Sequence, residues 1–394
     1  MAHPTTGTAP GARSWGGPLI YSGRARLTRP DSGAAFPMTP SHLTVAVVGA
    51  TGVVGRTMIQ VLTEREFPVG ELRLLASGRS AGRSLAIDGR TYEIGEAVPE
   101  AFDGVDIALF SAGGDVARVL APEAAARGAT AIDNSSAWRM DPNVPLVVSQ
   151  VNPDDLARHE GIVANPNCST MQLAPPLMAL RDTVGIERVV VDTYQSVSGT
   201  GGEAVAELEG QIRAHIAGEQ VTASVYPHPI AFNALPEIDV FLDNGYTKEE
   251  WKVVTESRKI LHLPELRISC TAVRVPVFVS HSEAVHVETR DPITPERARQ
   301  LFGAVPGVVV QDDPSGHVYP LATEAAGRDD IFVGRVRHDP SIPDGRGIAF
   351  WVMSDNTRKG AATNAVELAE VLVARGWVRA ASRRGAVAAH GGGA

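Results

Sequence analysis

Cys168 is the residue of this chain whose local sequence most clearly suggests chemistry, namely nucleophilic attack on a carbonyl group. Cys168 lies within the hexapeptide NPNCST (165–170), after a short apolar segment (161–164) and before residues compatible with a helix. A thiol at the first turn of a helix lies near unpaired backbone N–H groups, which favour the thiolate and lower the pKa below the free value of about 8.5. We therefore predict that Cys168 is a nucleophile with a lowered pKa.

A thiol nucleophile needs a base, and His281 is the best placed of the 11 histidines. It follows the strand-like segment 270–279, and Arg274 precedes it by seven residues. A cation and an imidazole at one buried strand can serve the same site, but a histidine at a strand end is also a common structural residue. The residues alone leave both interpretations open. The second cysteine, Cys270, is interpreted as a small buried hydrophobic residue.

Composition limits the classes of function. The chain has 394 residues, enough for two domains, and a net charge of −9 without a block of Lys and Arg that would suit nucleic acid. A small phosphorylated ligand remains compatible with this charge. Two cysteines form neither a disulfide framework nor a CxxC motif, so we predict no metal site and a reducing, cytoplasmic compartment. No apolar stretch approaches the ~18 residues of a membrane span, so we predict no membrane partner.

Both ends of the chain lack periodic apolar patterns. Segment 1–41 is rich in Pro, Gly, Ser, Thr and Arg and is predicted to be a disordered extension, with a transit peptide as an alternative that no amphipathic pattern supports. Because Met38 precedes the first strand by a few residues, we expect translation to begin there. Segment 379–394 is predicted to be a disordered tail.

The first convincing structural pattern is a strand, a glycine turn and a helix. The apolar run 43–48 leads into GATGVVG (49–55), and a helical pattern follows at 57–62. Glycines allow the backbone to approach a pyrophosphate closely, and the helix N-terminus favours the anion. The arrangement predicts nucleotide binding, with a tight turn of no binding function as the alternative.

The residues that follow the second predicted strand (72–76) indicate which cofactor is preferred. An acidic residue there would accept the ribose 2′-OH of NAD, but this chain has Ser77-Gly78-Arg79-Ser80. A hydroxyl and a guanidinium suit a 2′-phosphate, so NADP is predicted over NAD. The alternative is that Arg79 and Arg83 are solvated loop charges.

The remaining pattern predicts an α/β fold with a doubly wound, Rossmann-type domain followed by an α+β catalytic and dimerisation domain with a mainly antiparallel sheet. The dinucleotide-binding domain is assigned to 42–167 plus 356–378, and the second domain to 168–355. Pro175 and Pro176 are expected to interrupt the helix after Cys168. Further strands are predicted at 105–110, 130–133, 188–197, 270–279, 283–289, 331–333 and 348–353, and helices at 116–127, 205–216, 252–260 and 357–375.

A dinucleotide domain followed by a cysteine suggests oxidation or reduction at the aldehyde level through a thioester. The chain also resembles the aspartate-semialdehyde dehydrogenase family over nearly all of 43–377. The resemblance lies in the ordered segments GATGVVG (49–55), NPNC (165–168), YQSVSG (194–199), EEWK (249–252) and RVPVFVSH (274–281).

The resemblance implies roles that the residues alone do not. Cys168 would form the acyl-thioester, His281 would take and return its proton, and Gln195 would orient the thioacyl group or stabilise an oxyanion. Gln195 could otherwise be a polar residue capping a strand. Arg274 would hold the substrate carboxylate in a bidentate fork, and Glu249 would accept the substrate amino group.

The resemblance also implies a phosphate pocket and a set of cofactor contacts. Spacing alone would make Glu249 and Lys252 an exposed i,i+3 pair on one helix face. The implied phosphate residues are Arg139, Lys252 and Asn167. The predicted cofactor residues are Gly49, Thr51, Gly52, Val53, Val54, Gly55, Ser77, Arg79, Ser80, Ser198, Gly199 and Asn356.

The implied reaction is the reversible, NADP-dependent reductive dephosphorylation of 4-phospho-L-aspartate to L-aspartate 4-semialdehyde. It belongs to the biosynthesis of lysine through diaminopimelate, threonine, methionine and isoleucine. A homodimer, or a tetramer derived from it, is expected through the second domain. Two alternatives stay open: an N-acetyl-γ-glutamyl-phosphate reductase, and a non-catalytic regulator that senses NADP.

Overall fold

The computed structural model describes residues 42–87 and 89–379. The predictions for segment 1–41, including Met38, and for the tail from residue 380 onward lie outside the described residues. None of the helices within the described ranges is long and apolar enough to cross a bilayer.

The first sheet has seven strands among the described residues, in the order β3-β4-β2-β1-β5-β6-β7. All neighbours are parallel except β3 and β4. Helix α1 (Val53–Glu64) connects β1 to β2, and α2 (Gly114–Ala126) connects β5 to β6. The strands are β1 (Leu43–Val48), β2 (Val69–Ala76), β3 (Ser84–Ile87), β4 (Arg90–Glu96), β5 (Ile107–Phe110), β6 (Thr130–Asp133) and β7 (Ile162–Ala164).

The central strand β1 is covered on both faces, as its uninterrupted apolar sequence predicts. Val45 and Val47 pack in a core with α1 and the last helix, α8 (Asn364–Ala374). Ala46 and Val48 pack in a second core with α2. Gly376 follows α8 with φ +68° and donates to the carbonyl of Val373, the C-terminal cap that its position predicts.

The second sheet has six strands among the described residues, in the order β11-β12-β13-β10-β8-β9. The pairs β10–β13, β10–β8 and β12–β13 are antiparallel, whereas β11–β12 and β8–β9 are parallel. The predicted fold class is therefore confirmed, with two parallel pairs in the mainly antiparallel sheet. The strands are β8 (Ile186–Gln195), β9 (Arg267–Arg274), β10 (His281–Thr289), β11 (Val308–Val310), β12 (Ile331–His338) and β13 (Gly347–Ser354).

One face of the second sheet packs against α3 (Cys168–Val184), α5 (Lys248–Ile260) and α6 (Pro295–Gly303). Two further helices, α4 (Gly202–Ala217) and α7 (Ala322–Ala325), lie in the same half of the chain. Short 3₁₀ helices occupy Pro99–Phe102, Pro153–Arg158, Val197–Gly199 and Pro314–Gly316, and a π-helical segment, Arg358–Thr363, precedes α8.

The expected interruption of α3 is wrong, because the helix continues through Pro175 and Pro176 to Val184. Each interior proline removes a hydrogen bond and costs roughly 3 kcal/mol or more in an isolated helix. Here α3 packs against α5, α6 and three strands of the second sheet, and both prolines are buried. Tertiary packing therefore holds a helix that local sequence would end.

Several other boundaries differ from the prediction by a few residues, and two of these differences affect the site. The strand expected over 270–279 ends at Arg274, since Pro276 has no N–H to donate to a strand ladder. The helix expected over 357–375 begins as the π-helical segment Arg358–Thr363. Single-turn π segments are frequently found at functional sites, and Gly360 of this one lies beside Cys168.

Candidate active site

A cavity of about 460 Å³ opens where the glycine turn after β1, the start of α3, the ends of β8 and β9 and the first turns of α5 meet. It brings together residues from both halves of the sequence. The predicted residues that line it are Val54, Arg139, Asn167, Cys168, Gln195, Ser198, Gly199, Glu249, Lys252, Arg274 and Asn356.

Cys168 is the first residue of α3 and is partly buried in this cavity. Asn167 caps the helix, because its Oδ1 accepts from the N–H groups of Ser169 at 2.9 Å and Thr170 at 3.3 Å. Burial and the negative charge of Glu249 raise the pKa of the Cys168 thiol to about 12. The prediction of a lowered thiol pKa is therefore wrong for the unliganded site, since loss of hydration outweighs the favourable field at the helix N-terminus.

The π-helical segment packs against Cys168. A Cβ on Gly360 would lie 3.0 Å from the Cβ of Cys168, so only glycine fits without moving the cysteine. Gly360 was not predicted as a site residue, because nothing in its local sequence indicates contact with a residue nearly 200 positions earlier.

His281 is fully buried at the start of β10, behind the cavity wall. Its Nδ1 accepts from the backbone N–H of Ser196 at 3.1 Å. Because a backbone N–H can only donate, the neutral ring carries its proton on Nε2. That Nε2–H has no partner among the described residues. Burial and the nearby charge of Arg274 lower the pKa of His281 to about 3, so the ring is neutral at physiological pH.

Arg274 lies beside the imidazole at the end of β9. Its Nη1 donates to the carbonyl of Ser196 at 2.7 Å, while its buried Nε has no partner in the part of the chain described. A Cβ on Gly199 would lie 2.9 Å from His281 Nε2 and 3.0 Å from Arg274 Nη1. Gly199 therefore keeps clear the space between these two donors.

Asn356 ties together the strand ends around the site. Its Oδ1 accepts from Ser196 Oγ at 3.1 Å, Ser198 Oγ at 3.0 Å and the N–H of Ser280 at 3.0 Å. These donors follow β8 or precede β10, and Asn356 itself follows β13. The predicted cofactor residues Ser198 and Asn356 thus also fix the geometry around His281.

The first turns of α5 place charged residues in the cavity wall. Glu249 is buried, and the side chain of Lys252 is 19% exposed, so the interpretation from spacing alone, an exposed pair, is wrong. Lys252 Nζ lies 3.1 Å from Glu249 Oε2 and 2.8 Å from Asp239 Oδ2. Burial alone would raise the pKa of Glu249, but Lys252 and hydrogen bonds from Asn167 and Gln195 lower it overall.

Gln195 and Arg139 are held by buried partners. Gln195 Nε2 donates to Ser169 Oγ at 3.0 Å and to Glu249 Oε1 at 3.2 Å, which fixes the direction of its amide. Arg139 Nη1 donates to Glu256 Oε1 at 2.9 Å. The other Glu256 oxygen accepts from the backbone N–H of Asn167 at 2.7 Å, so the arginine and the start of α3 share one carboxylate.

The glycine turn fits the pyrophosphate of a dinucleotide. Gly49 has φ +87°, and a Cβ on Gly55 would lie 2.2 Å from the Gly49 carbonyl oxygen. Gly52 caps α1 without a side-chain acceptor, and Val53 is 42% exposed, so the N–H groups of the first turn of α1 have no side-chain cap. Thr51 belongs to the same turn. An anion is the natural partner for such a helix start.

The residues expected to select NADP lie away from the cavity. Ser77 and Arg79 are exposed and Ser80 is half-buried, in the loop after β2. The turn is closed by a hydrogen bond from the Ser80 N–H to the Ser77 carbonyl at 2.8 Å. A guanidinium at this strand end is accessible to a ligand that extends from the glycine turn.

Two acidic residues of the site were missed by sequence reasoning. Asp239, from the loop before α5, lines the cavity, and Glu256, deeper in α5, lies behind it; they pair with the two predicted phosphate cations. An isolated acidic residue in a loop carries no sequence signal of this kind. Within the described ranges, no group of three or more His, Cys, Asp or Glu residues could hold a metal ion.

Comparison with known proteins agrees with this geometry. The family described as semialdehyde dehydrogenase, NAD binding domain, matches residues 44–159, and the semialdehyde dehydrogenase dimerisation domain matches residues 177–359. The aspartate-semialdehyde dehydrogenase of Aquifex aeolicus is 52% identical over 85% of this chain and 99% of its own length. That of Bacillus subtilis is 50% identical over 84% of this chain and 97% of its own length.

Solved structures give the same result. Aspartate semialdehyde dehydrogenase II complexed with ASA from Vibrio cholerae is 48% identical and has a TM-score of 0.81, covering 84% of this chain and 98% of that chain. The enzyme with NADP from Candida albicans is 25% identical and has a TM-score of 0.67, covering 85% and 99%. These comparisons support the first predicted activity and neither alternative. The chain belongs to the aspartate-semialdehyde dehydrogenase family of oxidoreductases.

Proposed function

We propose that this enzyme interconverts L-aspartate 4-semialdehyde and 4-phospho-L-aspartate through an acyl-thioester on Cys168. In the biosynthetic direction Sγ forms a bond to C4 of the acyl phosphate, the C–O bond to phosphate breaks with its electron pair leaving on phosphate, and the departing phosphate carries away the thiol proton. NADPH, when bound at the glycine turn, would supply the hydride that reduces the thioester. Cys168 Sγ then leaves and regains a proton as the free aldehyde forms.

One observation carries the proposal: two buried donors, Arg274 Nε and His281 Nε2, the latter lying against Gly199, have no partner among the described residues, and Arg274 and Gly199 both line the cavity that contains Cys168. Unsatisfied buried donors cost roughly 1–3 kcal/mol each, so a ligand with suitably placed oxygens regains that energy on binding. A substrate with a carboxylate and a reacting carbonyl offers both acceptors.

The tautomer of His281 supports a role as hydrogen-bond donor to the reacting carbonyl oxygen. With the Ser196 N–H donating to Nδ1, Nε2 already holds the ring proton, so this tautomer is not a base at Nε2. To take the thiol proton, as the resemblance implies, Nε2 would have to be unprotonated, and the ring proton would then lie on Nδ1. The hydrogen bond from the Ser196 N–H to Nδ1 would have to break first. A neutral imidazole that polarises a carbonyl without becoming charged is an established catalytic arrangement.

The other substrate groups are assigned by charge. Arg274 would hold the α-carboxylate through Nε and Nη, and Glu249 would accept the α-ammonium group. Arg139 and Lys252 would bind phosphate, and the Asn167 amide is already engaged as a helix cap and a partner of Glu249. Gln195 would orient the thioacyl group.

NADP is proposed over NAD because the loop after β2 offers an exposed Arg79 and two serines and contains no acidic residue of its own; the nearby carboxylate of Glu96 comes from β4 and lies against Gly78. The Candida albicans relative solved with NADP supports the same cofactor. The family match names an NAD-binding domain and does not distinguish NADP from NAD.

A homodimer, or a tetramer derived from it, is proposed through the second sheet. The match to a dimerisation domain supports it. So does the face opposite α3, where Tyr194 and Trp351 pack at 5.4 Å between ring centroids and Tyr194 is 38% exposed. Two free thiols, Cys168 and Cys270, support a reducing, cytoplasmic compartment.

The decisive test follows NADPH absorbance with L-aspartate 4-semialdehyde and NADP, with and without phosphate. We expect NADPH formation that depends on phosphate, a rate lower with NAD, and no rate with N-acetyl-L-glutamate 5-semialdehyde. Equal rates with the acetylated substrate, or rates independent of phosphate, would overturn the assignment. Light scattering after size exclusion tests the dimer, and a monomer at micromolar concentration would contradict it.

A further inference from the structure

Lys252 is paired with two carboxylates, and only that of Glu249 has a role in the proposed function. Asp239 Oδ2 accepts from Lys252 Nζ at 2.8 Å, and all three residues line the cavity that contains Cys168. Two carboxylates and one ammonium leave this part of the wall with a net charge of −1. It therefore favours a second cation from the ligand.

Glu249 has little remaining capacity to accept that cation. Its Oε1 already accepts from Asn167 Nδ2 at 2.8 Å and Gln195 Nε2 at 3.2 Å, and its Oε2 accepts from Lys252. An ionised carboxylate has about four lone-pair positions, so one remains. The Glu249 side chain is only 8% exposed.

Asp239 is the more available acceptor. Its Oδ1 accepts only from the N–H of Val240 at 2.9 Å and its Oδ2 only from Lys252 among the described residues, so about two lone-pair positions remain. Its side chain is 30% exposed, nearly four times the fraction of Glu249. Burial alone would raise the pKa of Asp239, but Lys252 and the Val240 N–H lower it overall, so the group is ionised at neutral pH.

The backbone holds Asp239 at a fixed place in the wall. Leu235 and Arg274 exchange backbone hydrogen bonds at 2.9 and 2.8 Å, and the N–H of Lys248 donates to the carbonyl of Val240 at 2.8 Å. Asp239 lies between these two anchors with φ +68°, a left-handed conformation that a non-glycine residue keeps where the surroundings impose it. The loop thus connects the substrate arginine to the start of α5.

We propose that Asp239 is a specificity-determining residue that accepts the α-ammonium group of the substrate together with Glu249, while Arg274 holds the α-carboxylate. An N-acylated amino acid presents a neutral amide at this position and leaves the negative wall without its cation. Rejection of such a substrate follows from the unpaired charge rather than from shape alone. This inference rests on the proposed function.

The test compares L-aspartate 4-semialdehyde with 4-oxobutanoate, which has the same carbon chain without the amino group. We expect Asp239→Asn to lower kcat/KM for aspartate semialdehyde by roughly 10–100-fold, the value of a charge-assisted hydrogen bond. The kcat/KM for 4-oxobutanoate at saturating phosphate and the Kd for NADP should each stay within about twofold. Asp243→Asn, an exposed residue of the same loop, is the matched control and should match the wild type.

Equal losses for both substrates, or a change in the KM for phosphate alone, would overturn the inference and leave Asp239 as a positioning residue for Lys252. Asp239→Gly serves as a second variant, because glycine adopts the positive φ without strain and should reproduce the loss of discrimination. A wild-type enzyme without phosphate-dependent NADPH formation would refute the proposed function itself. A wild-type enzyme that is active while Asp239→Asn keeps full discrimination refutes only this inference.

Discussion

The two walls of the active-site cavity differ in the chemical groups that form them. The wall proposed to hold the cofactor is mainly backbone: it comprises the glycine turn 49–55, whose Val54 lines the cavity, and the uncapped start of α1. The substrate wall consists mainly of ionisable side chains, some of which already pair, such as Lys252 with Asp239 and Arg139 with Glu256. In the proposed function a dinucleotide would meet uncapped N–H groups, whereas phosphate would exchange partners with these two ion pairs.

This difference has an energetic reason. Backbone N–H groups at a helix start are partly solvated and cost little when no ligand is bound. Buried charges without partners cost several kcal/mol each, so the acidic partners Glu249, Asp239 and Glu256 stabilise Lys252 and Arg139 in the substrate wall. Substitutions in the cofactor wall should therefore alter binding through steric contact. Substitutions in the substrate wall should alter binding through charge.

Removal of the nucleophile between the walls should have the largest effect. We expect Cys168→Ala to lower turnover by at least about 10⁴-fold, because no other group can form the thioester. Both walls remain intact, so the Kd for NADP, measured by quenching of intrinsic fluorescence, should stay within about twofold of the wild type. Retained turnover would contradict a covalent mechanism.

The raised pKa of the thiol can be tested by alkylation with iodoacetamide. Because burial and Glu249 raise the pKa of Cys168 to about 12, the thiolate fraction should rise about tenfold per pH unit. The alkylation rate should therefore increase roughly 100-fold from pH 7 to pH 9 without a plateau. In Glu249→Gln the rate at pH 7 should be higher than in the wild type. A plateau below pH 8 would indicate a thiolate already stabilised by the site.

Gly55→Ala tests the close packing of the cofactor wall. Its Cβ would lie 2.2 Å from the Gly49 carbonyl oxygen, so the turn must shift. We expect a loss of about 1–3 kcal/mol in unfolding free energy and a rise in the Kd for NADP of roughly 10–100-fold. Gly210→Ala in α4 is the control: nothing lies within 4 Å of its Cβ, and it should stabilise the protein slightly. An unchanged Kd in Gly55→Ala would show that the turn does not hold the cofactor.

Arg274→Lys tests the charged wall without removing its charge. Lysine cannot reproduce the planar fork, so kcat/KM for aspartate semialdehyde should fall about 30-fold while the Kd for NADP stays within about twofold. Arg267→Lys, at the exposed start of the same strand, should resemble the wild type. Equal losses in substrate and cofactor affinity would place Arg274 in a structural role shared by both walls.

The smallest effect is expected at the edge of the cofactor wall. Arg79→Ala should raise the Kd for NADP about tenfold and leave that for NAD unchanged, because only NADP carries the 2′-phosphate. Arg83→Ala, exposed in the same loop, is the control. If both variants weaken NADP binding to the same small extent, the loop contributes to affinity only through its overall charge.

The two walls also differ in how far sequence reveals them. The cofactor wall could be predicted from one contiguous segment, because a strand, a glycine turn and a helix are all local features. The burial of Glu249 and the π-helical contact of Gly360 with Cys168 could not, since both depend on residues that are far apart in the chain. The resemblance to a known family provided the roles of Glu249 and Lys252 that spacing alone would have assigned to solvent.

Local rules failed where tertiary contacts dominate. The helix N-terminus favours a thiolate at Cys168, but burial and the charge of Glu249 raise the pKa instead. Two prolines would end an isolated helix, but α3 continues because it is packed on most sides. In both cases the competing effect comes from elements that sequence patterns do not place in space.

The acyl-enzyme is the most direct test of the central claim. The enzyme is mixed with L-aspartate 4-semialdehyde and NADP without phosphate, quenched in acid, and analysed by intact mass and peptide mapping. We predict one aspartyl group on the peptide that contains Cys168, which disappears when phosphate is added before the quench. An enzyme that makes NADPH under these conditions yet carries no adduct on that peptide would contradict the account.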